Sequence, residues 1–182
     1  MLRGWTAADR APFGALNADP EVMRHFPTPL TREQSDAFAD LVAERFAADG
    51  FGLWALEVVG GARFVGSTGI WRLREPHPYA GAVEAGWRLA RSAWGRGYAT
   101  EAARAAVAYG FDEVGLDEIV STTSVSNVTS QAVMERLGMT RDPGDDYDHP
   151  SVPAGSPLRR HLLYRLTARQ WRQPGKGGVL LV

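Results

Sequence analysis

Between Val83 and Phe111 the apolar spacing of this chain changes from every second residue to every third or fourth. The change falls across Trp94-Gly95-Arg96-Gly97-Tyr98-Ala99-Thr100-Glu101-Ala102. Before it, Val83, Ala85, Trp87 and Leu89 alternate with Glu84, Gly86, Arg88 and Ala90, the period of a strand. After it, Ala99, Ala102, Ala103, Ala106, Val107, Gly110 and Phe111 make one continuous helical face of mostly small residues, suited to close packing on a sheet. The segment therefore predicts strand, glycine turn, helix. The first turn of a helix leaves backbone N–H groups unpaired and carries the positive end of its dipole, so an anion is stabilised there. Gly95 and Gly97 permit positive φ and a close backbone approach, so the turn reads as a phosphate cradle.

Spacing narrows what the cradle holds. A nucleoside-triphosphate loop needs four residues between its glycines followed by Lys-Ser/Thr, and a dinucleotide fingerprint needs a third glycine where Thr100 stands. Neither pattern is present. A glycine-rich connection that holds nothing is the plain alternative on glycine content alone.

The loop with its flanks resembles the coenzyme A site of the GNAT acetyltransferases, whose strand, Gly-x-Gly/Ala turn and Tyr-Ala-Thr-Glu-Ala helix start are matched from Trp94 to Ala102. A second block, Asn127-x-x-Ser130 with Glu135-Arg136-Leu137-Gly138-Met139, is similar to the family's next helix and the strand after it. Asp19-Pro20-Glu21-Val22-Met23 near the start, and Leu163-Tyr164-Arg165-Leu166 with Trp171 near the end, are most similar to the branch of ribosomal-protein N-terminal acetyltransferases. The resemblance implies one GNAT domain over residues 1–172 with a C-terminal tail at 173–182. It implies a mixed α/β fold, a mainly antiparallel central sheet flanked by helices, and acetyl transfer from acetyl-CoA to an amine. A non-catalytic acyl-CoA sensor is the alternative.

The remaining sequence is compatible with that fold. Thr6 to Asp9 and Thr31 to Gln34 read as capping boxes, the second opening a helix that Gly50 stops. Residues 52–59 and 63–73 alternate as strands around a Gly60-Gly61 hairpin turn. Residues 118–124 read as a strand, Asn127 as a helix cap, 142–157 as a long loop and 158–166 as a final strand. The grouping predicts a mixed sheet. At 182 residues the chain is long enough for one full core. Its 20 Lys+Arg against 21 Asp+Glu offer no bulk attraction to nucleic acid or to an anionic membrane. With no cysteine, disulfides, thiolate metal sites and a cysteine acyl-enzyme are excluded. No apolar run approaches the ~20 residues of a membrane span, and the expectation is a cytoplasmic protein without a metal.

The resemblance also implies roles for particular residues. Backbone amides from Trp94 through Gly95, Arg96, Gly97, Tyr98 and Ala99 to Thr100 would hold the pyrophosphate. The strand end at Leu89 and Ala90, splayed from its neighbour, would lie along the pantetheine arm, and Asn127 would contact that arm. Ser130 stands where related enzymes place a hydroxyl near the coenzyme sulfur; as plain sequence it is equally a first-turn cap. Glu84, on the face opposite Val83 and Ala85, is the leading base, against the alternative of a solvated strand carboxylate. His25 and Phe26 with Trp71 and Trp87 are the expected acceptor pocket, joined by Trp54, Tyr147 and His149. The acidic run Asp145, Asp146 and Asp148 is expected to attract a cationic amine or else to be a solvated turn. The apolar tail end, Val179 to Val182, raises a possible homodimer.

Overall fold

The computed structural model describes residues 1–173. The tail reading, and with it the dimer contact, falls on residues outside that range. Among the described residues eight strands form one sheet: β1 (Leu2–Arg3), β2 (Leu53–Leu56), β3 (Gly66–Arg72), β4 (Val83–Leu89), β5 (Glu118–Ser124), β6 (Thr140–Arg141), β7 (Tyr147–Asp148) and β8 (Arg160–Thr167). Their order is β1-β2-β3-β4-β5-β8-β6, with β7 also on β8. Every pairing is antiparallel except β4 with β5. Helices α1 (Arg10–Ala18), α2 (Pro20–Met23), α3 (Arg32–Asp49), α4 (Tyr98–Asp112), α5 (Val128–Arg136) and α6 (Ala168–Trp171) flank it.

The small face of α4 lies on the sheet as its sequence requires. Ala103, Ala106, Val107 and Phe111 are almost fully buried against Ile70, Ala85 and Ile119. Gly110 has no room for a side chain, since a Cβ there would come within 2.8 Å of Ile119. A second layer of aromatic side chains, Trp5, Phe13, Phe38 and Phe64, packs α1 and α3 on the opposite side. Both predicted helix starts are capped. Thr6 donates its N–H and its hydroxyl to Asp9 (2.7 and 2.9 Å), and Thr31 accepts from the Gln34 N–H (3.2 Å). Gly50 stops α3 at φ 76°, and Gly138 follows α5 at φ 84°.

Three elements depart from the sequence expectation. The strands around Gly60-Gly61 are shorter than read, because the turn region keeps only isolated bonds such as Val58 N–H to the Ala62 carbonyl. The long loop contains β7, whose Tyr147 inserts beside β8 and is 8% exposed. Strand β1 and capped helix α6 are too short to leave a periodic signal.

Arg3 ties the edge strand to the first helix. Its guanidinium donates twice to Asp9 (2.7 Å each) and once to Glu57 (2.7 Å). Asp9 is 2% exposed, and the Arg3 hydrogen bonds hold its carboxyl down at about 2. A carboxyl lowered on folding contributes stability above its unfolded value, and that stability is lost as pH falls toward the folded value. Asp9→Ala is therefore expected to cost roughly 2–3 kcal/mol in urea unfolding at pH 7, with the gap to wild type narrowing between pH 4 and pH 2.

Candidate active site

The one parallel pair of the sheet opens the site. Strands β4 and β5 share a single bridge, Glu84 opposite Val120, so their C-terminal halves are not paired with each other. The Ala90 N–H donates to Val65 (2.8 Å) on the β3 side, and alternation along the strand turns the backbone groups of Trp87 and Leu89 the other way, into the gap. The expected roles of two residues change accordingly. Ala90 has no free backbone group, because its carbonyl also accepts from Ala93 (2.9 Å). The Leu89 carbonyl accepts from Trp94 Nε1 (2.9 Å), leaving its N–H as the group that faces the gap.

At the end of the gap lies the glycine turn. Gly95 (φ 73°) and Gly97 (φ 79°) both take the left-handed conformation, and nothing stands within 4 Å of where a Cβ on either would be. Gly97 is the residue immediately before α4, so the N–H groups of the first helical turn, from Tyr98 to Thr100, point out of a surface with no side chain over it. Trp94 is fastened back onto Leu89 and lies under Arg24 (5.6 Å), while Tyr98 and Ala99 turn their side chains into the core. Trp94, Gly95, Arg96 and Gly97 are exposed. A polyanion fits such a surface through backbone donors.

Glu84 projects from the β4 face opposite the buried Val83 and Ala85. Its Oε1 accepts from the Thr122 hydroxyl (2.5 Å) and the Thr122 N–H (3.2 Å), and its Oε2 accepts from Trp71 Nε1 (3.0 Å). Burial raises its pKa above the ordinary 4.5, and the Thr122 and Trp71 hydrogen bonds oppose that rise without cancelling it. On strand β7, Tyr147 Oη meets His77 Nε2 (2.7 Å). His77 Nδ1 accepts from the Tyr79 N–H (3.1 Å), which leaves Nε2 as the protonated nitrogen that donates to Tyr147 Oη. His149 and His161 stack beside Tyr147 and His77, and burial lowers all three imidazoles, His149 to about 4. Sequence reasoning missed Thr122. Its only signal is position, opposite the strand carboxylate on the parallel neighbour.

Asn127 and Ser130 form a closed cap on α5. Asn127 Oδ1 accepts from the Ser130 N–H (3.2 Å), and its amide donates to Ser130 Oγ (3.0 Å). The Asn127 side chain thus caps α5 through its oxygen and one amide hydrogen, and the second amide hydrogen is not part of that cap. Ser130 Oγ, having accepted, retains its own hydrogen for donation.

The expected acceptor residues divide. Trp71 is on the Glu84 face and bonds it. Phe26 stacks under Arg88 (4.0 Å), and the two line a cavity of about 200 Å3 with Pro27, Leu30 and Phe38. His25 reaches the loop after β5 through Ser126 (3.3 Å). Trp87 does not join them, because odd residues of β4 point to the α4 side and it packs into the core there. Trp54 is likewise core, edge-on to Phe46 (5.4 Å) and Tyr109 (5.3 Å). The acidic run is neutralised rather than poised for a cation. Asp145 pairs with Arg165 (2.7 Å), Asp146 with Arg141, and Asp148 with Arg159 (3.3 Å) and Arg160 (3.4 Å). Among the described residues no group of three His, Cys, Asp or Glu is arranged to hold a metal ion, and no helix is long and apolar enough to cross a membrane.

Comparison with known proteins identifies the family and the fold. The family described as acetyltransferase (GNAT) domain matches residues 1–140. The FsC-acetyl coenzyme A-N(2)-transacetylase of Aspergillus fumigatus is 32% identical over 169 residues, covering 86% of this chain and 68% of that protein. An acetyltransferase of Agrobacterium tumefaciens superposes with a TM-score of 0.73 at 28% identity, over 91% of this chain and 88% of the other. The fold is shared with Mycobacterium smegmatis RimJ, solved with CoA-disulfide, at a TM-score of 0.74 and 22% identity, over 94% of this chain and 83% of that one.

Proposed function

Since the chain belongs to the GNAT acetyltransferase family and transfers an acetyl group from acetyl-CoA to an amine, we propose that transfer takes place in the gap between β4 and β5, with Glu84 as the base. The observation that carries this is the placement of a carboxylate of raised pKa beside that gap, with an open glycine turn at the gap's end. The turn fits coenzyme A because the two glycines leave the space that a Cβ would fill. Its first-turn amides, from Gly97 to Thr100, would take the pyrophosphate, and Trp87 and Leu89 would offer backbone groups to the arm. The bound donor supplies an activated thioester. An alkylammonium must lose a proton before it can attack, and Glu84, raised by burial, is a stronger base than a solvated carboxylate. A new C–N bond then forms as the C–S bond breaks. Ser130, whose Oγ accepts from Asn127, has its hydrogen available for the departing sulfur.

A non-catalytic acyl-CoA module would have no use for a base and an acid at the two sides of one gap. Placement in the ribosomal-protein N-terminal branch rests on Asp19-Pro20-Glu21-Val22-Met23 and on Leu163-Tyr164-Arg165-Leu166 with Trp171. The test is release of free thiol from acetyl-CoA against a panel of peptide N-termini, polyamines and amino acids. Acetyl-CoA binding without thiol release on any amine would remove the reading. Within that assay, Ser130→Ala is expected to lower kcat about 10²-fold while leaving acetyl-CoA affinity, measured by calorimetry, within about twofold.

A further inference from the structure

Glu84, Gly86 and Arg88 share one face of β4, opposite the buried Val83, Ala85 and Leu89. Gly86 has nothing within 4 Å of its missing Cβ, so the face is a notch with a carboxylate at one end and a guanidinium at the other. Strand geometry places those two Cα atoms ~13 Å apart on the one face.

Arg88 has an unusual environment for a cation. It lies over the rings of Phe26 (4.0 Å) and Phe38 (5.6 Å) and donates once to Asn17 Oδ1 (2.7 Å). Asn17 is fully buried and is itself held by donation to Ser35 (2.8 Å). No carboxylate among the described residues pairs with Arg88, and burial alone pulls it down to about 10. A guanidinium carries five N–H donors in a planar fork, and burying it without a counter-charge is costly. The fork borders the apolar cavity of Phe26, Pro27, Leu30 and Phe38. The acidic run that would have favoured a cationic acceptor is already paired with arginines.

We propose that Arg88 receives a carboxylate of the acceptor, so that the preferred substrate is a carboxylate-bearing amine with an apolar side chain, of the amino-acid class, and not a polycation. This rests on the reading of Glu84 as the base, because the notch then orients the amine toward Glu84 and the carboxylate toward Arg88. Aromatic stacking holds the guanidinium plane, leaving its fork for bidentate pairing.

Paired acceptors that differ only in the carboxylate test it: L-leucine against isoamylamine, and L-phenylalanine against phenethylamine, with wild type, Arg88→Met and Arg88→Lys. Wild type should prefer the amino acid at least tenfold in kcat/KM. Arg88→Met, which keeps an unbranched apolar stem, should abolish that preference through a raised KM for the amino acid, and Arg88→Lys should restore part of it. Equal use of both members by wild type, no use of either, or a preference that survives in Arg88→Met overturns the proposal. Calorimetry with N-acetyl-L-leucine against N-isoamylacetamide, in the presence of CoA, gives a readout that needs no turnover; equal affinity of wild type for the two products also overturns it. Thiol release on other amines that is lost in Glu84→Gln would keep the base assignment standing when the Arg88 proposal fails.

Discussion

Glu84→Gln is expected to lower kcat about 10³-fold with acetyl-CoA affinity nearly unchanged, since glutamine keeps the shape of the side chain and still accepts from Thr122 but takes up no proton. In wild type the acid limb of kcat/KM should lie above the ordinary carboxylate value of 4.5, because the base must be ionised and burial raises its pKa. That limb should vanish in the variant. The same shift predicts an effect on stability of opposite sense. A carboxyl whose pKa is raised on folding contributes stability below its unfolded value and loses it as pH rises through the folded value. At pH 7 the ionised Glu84 is thus a burden on the fold, so Glu84→Gln should melt higher than wild type at pH 7 and no higher at pH 4. Thermal unfolding of both proteins at the two pH values checks it. A kcat reduced less than tenfold would assign the proton to another group, with His77 and His149 the nearest titratable side chains on the Tyr147 side.

Gly97→Val should weaken acetyl-CoA binding by about 10²-fold or more in calorimetric titration. Two effects add. A β-branched residue at φ 79° is strained by roughly 1–2 kcal/mol, which pulls the turn away from its conformation. The added side chain also enters space that is now open above the first turn of α4 and masks donors to a charged group, each worth about 1.5–3 kcal/mol. Circular dichroism should show the helix intact, since α4 is held by Ala103, Ala106 and Phe111 in the core and not by its first turn. Arg96→Ala is the control. Arg96 is exposed, so a loss above about tenfold there would shift the burden of phosphate binding from backbone to side chain. Unchanged affinity in Gly97→Val would mean that the turn is only a connection.

Much of the site was legible because its parts are local. The glycine turn, the face of α4 and the Asn127 cap each depend on residues within a few positions of one another, and local spacing carries that information. Glu84 was found because strand alternation sends it away from its apolar neighbours. Alternation also placed Trp87 with those neighbours, so its assignment to the acceptor pocket ran against the period that had located Glu84. The ion pairs of the acidic run are hidden from the sequence for a different reason. Arg159, Arg160 and Arg165 lie on or beside the strand that pairs with β7, and this pairing is invisible to a reading of residues 145–148 alone.

The sequence by itself determined the glycine turn and helix proposed to hold the donor, because positive φ at Gly95 and Gly97 and a small-residue helical face are properties of a single stretch of backbone. Only the tertiary structure decided the chemistry around it. Thr122 meets Glu84 across 38 positions, Tyr147 meets His77 across 70 and Asn17 meets Arg88 across 71. The raised pKa of Glu84 and the unpaired charge of Arg88 follow from burial by distant segments, and desolvation is a property of the packed interior that no local pattern encodes.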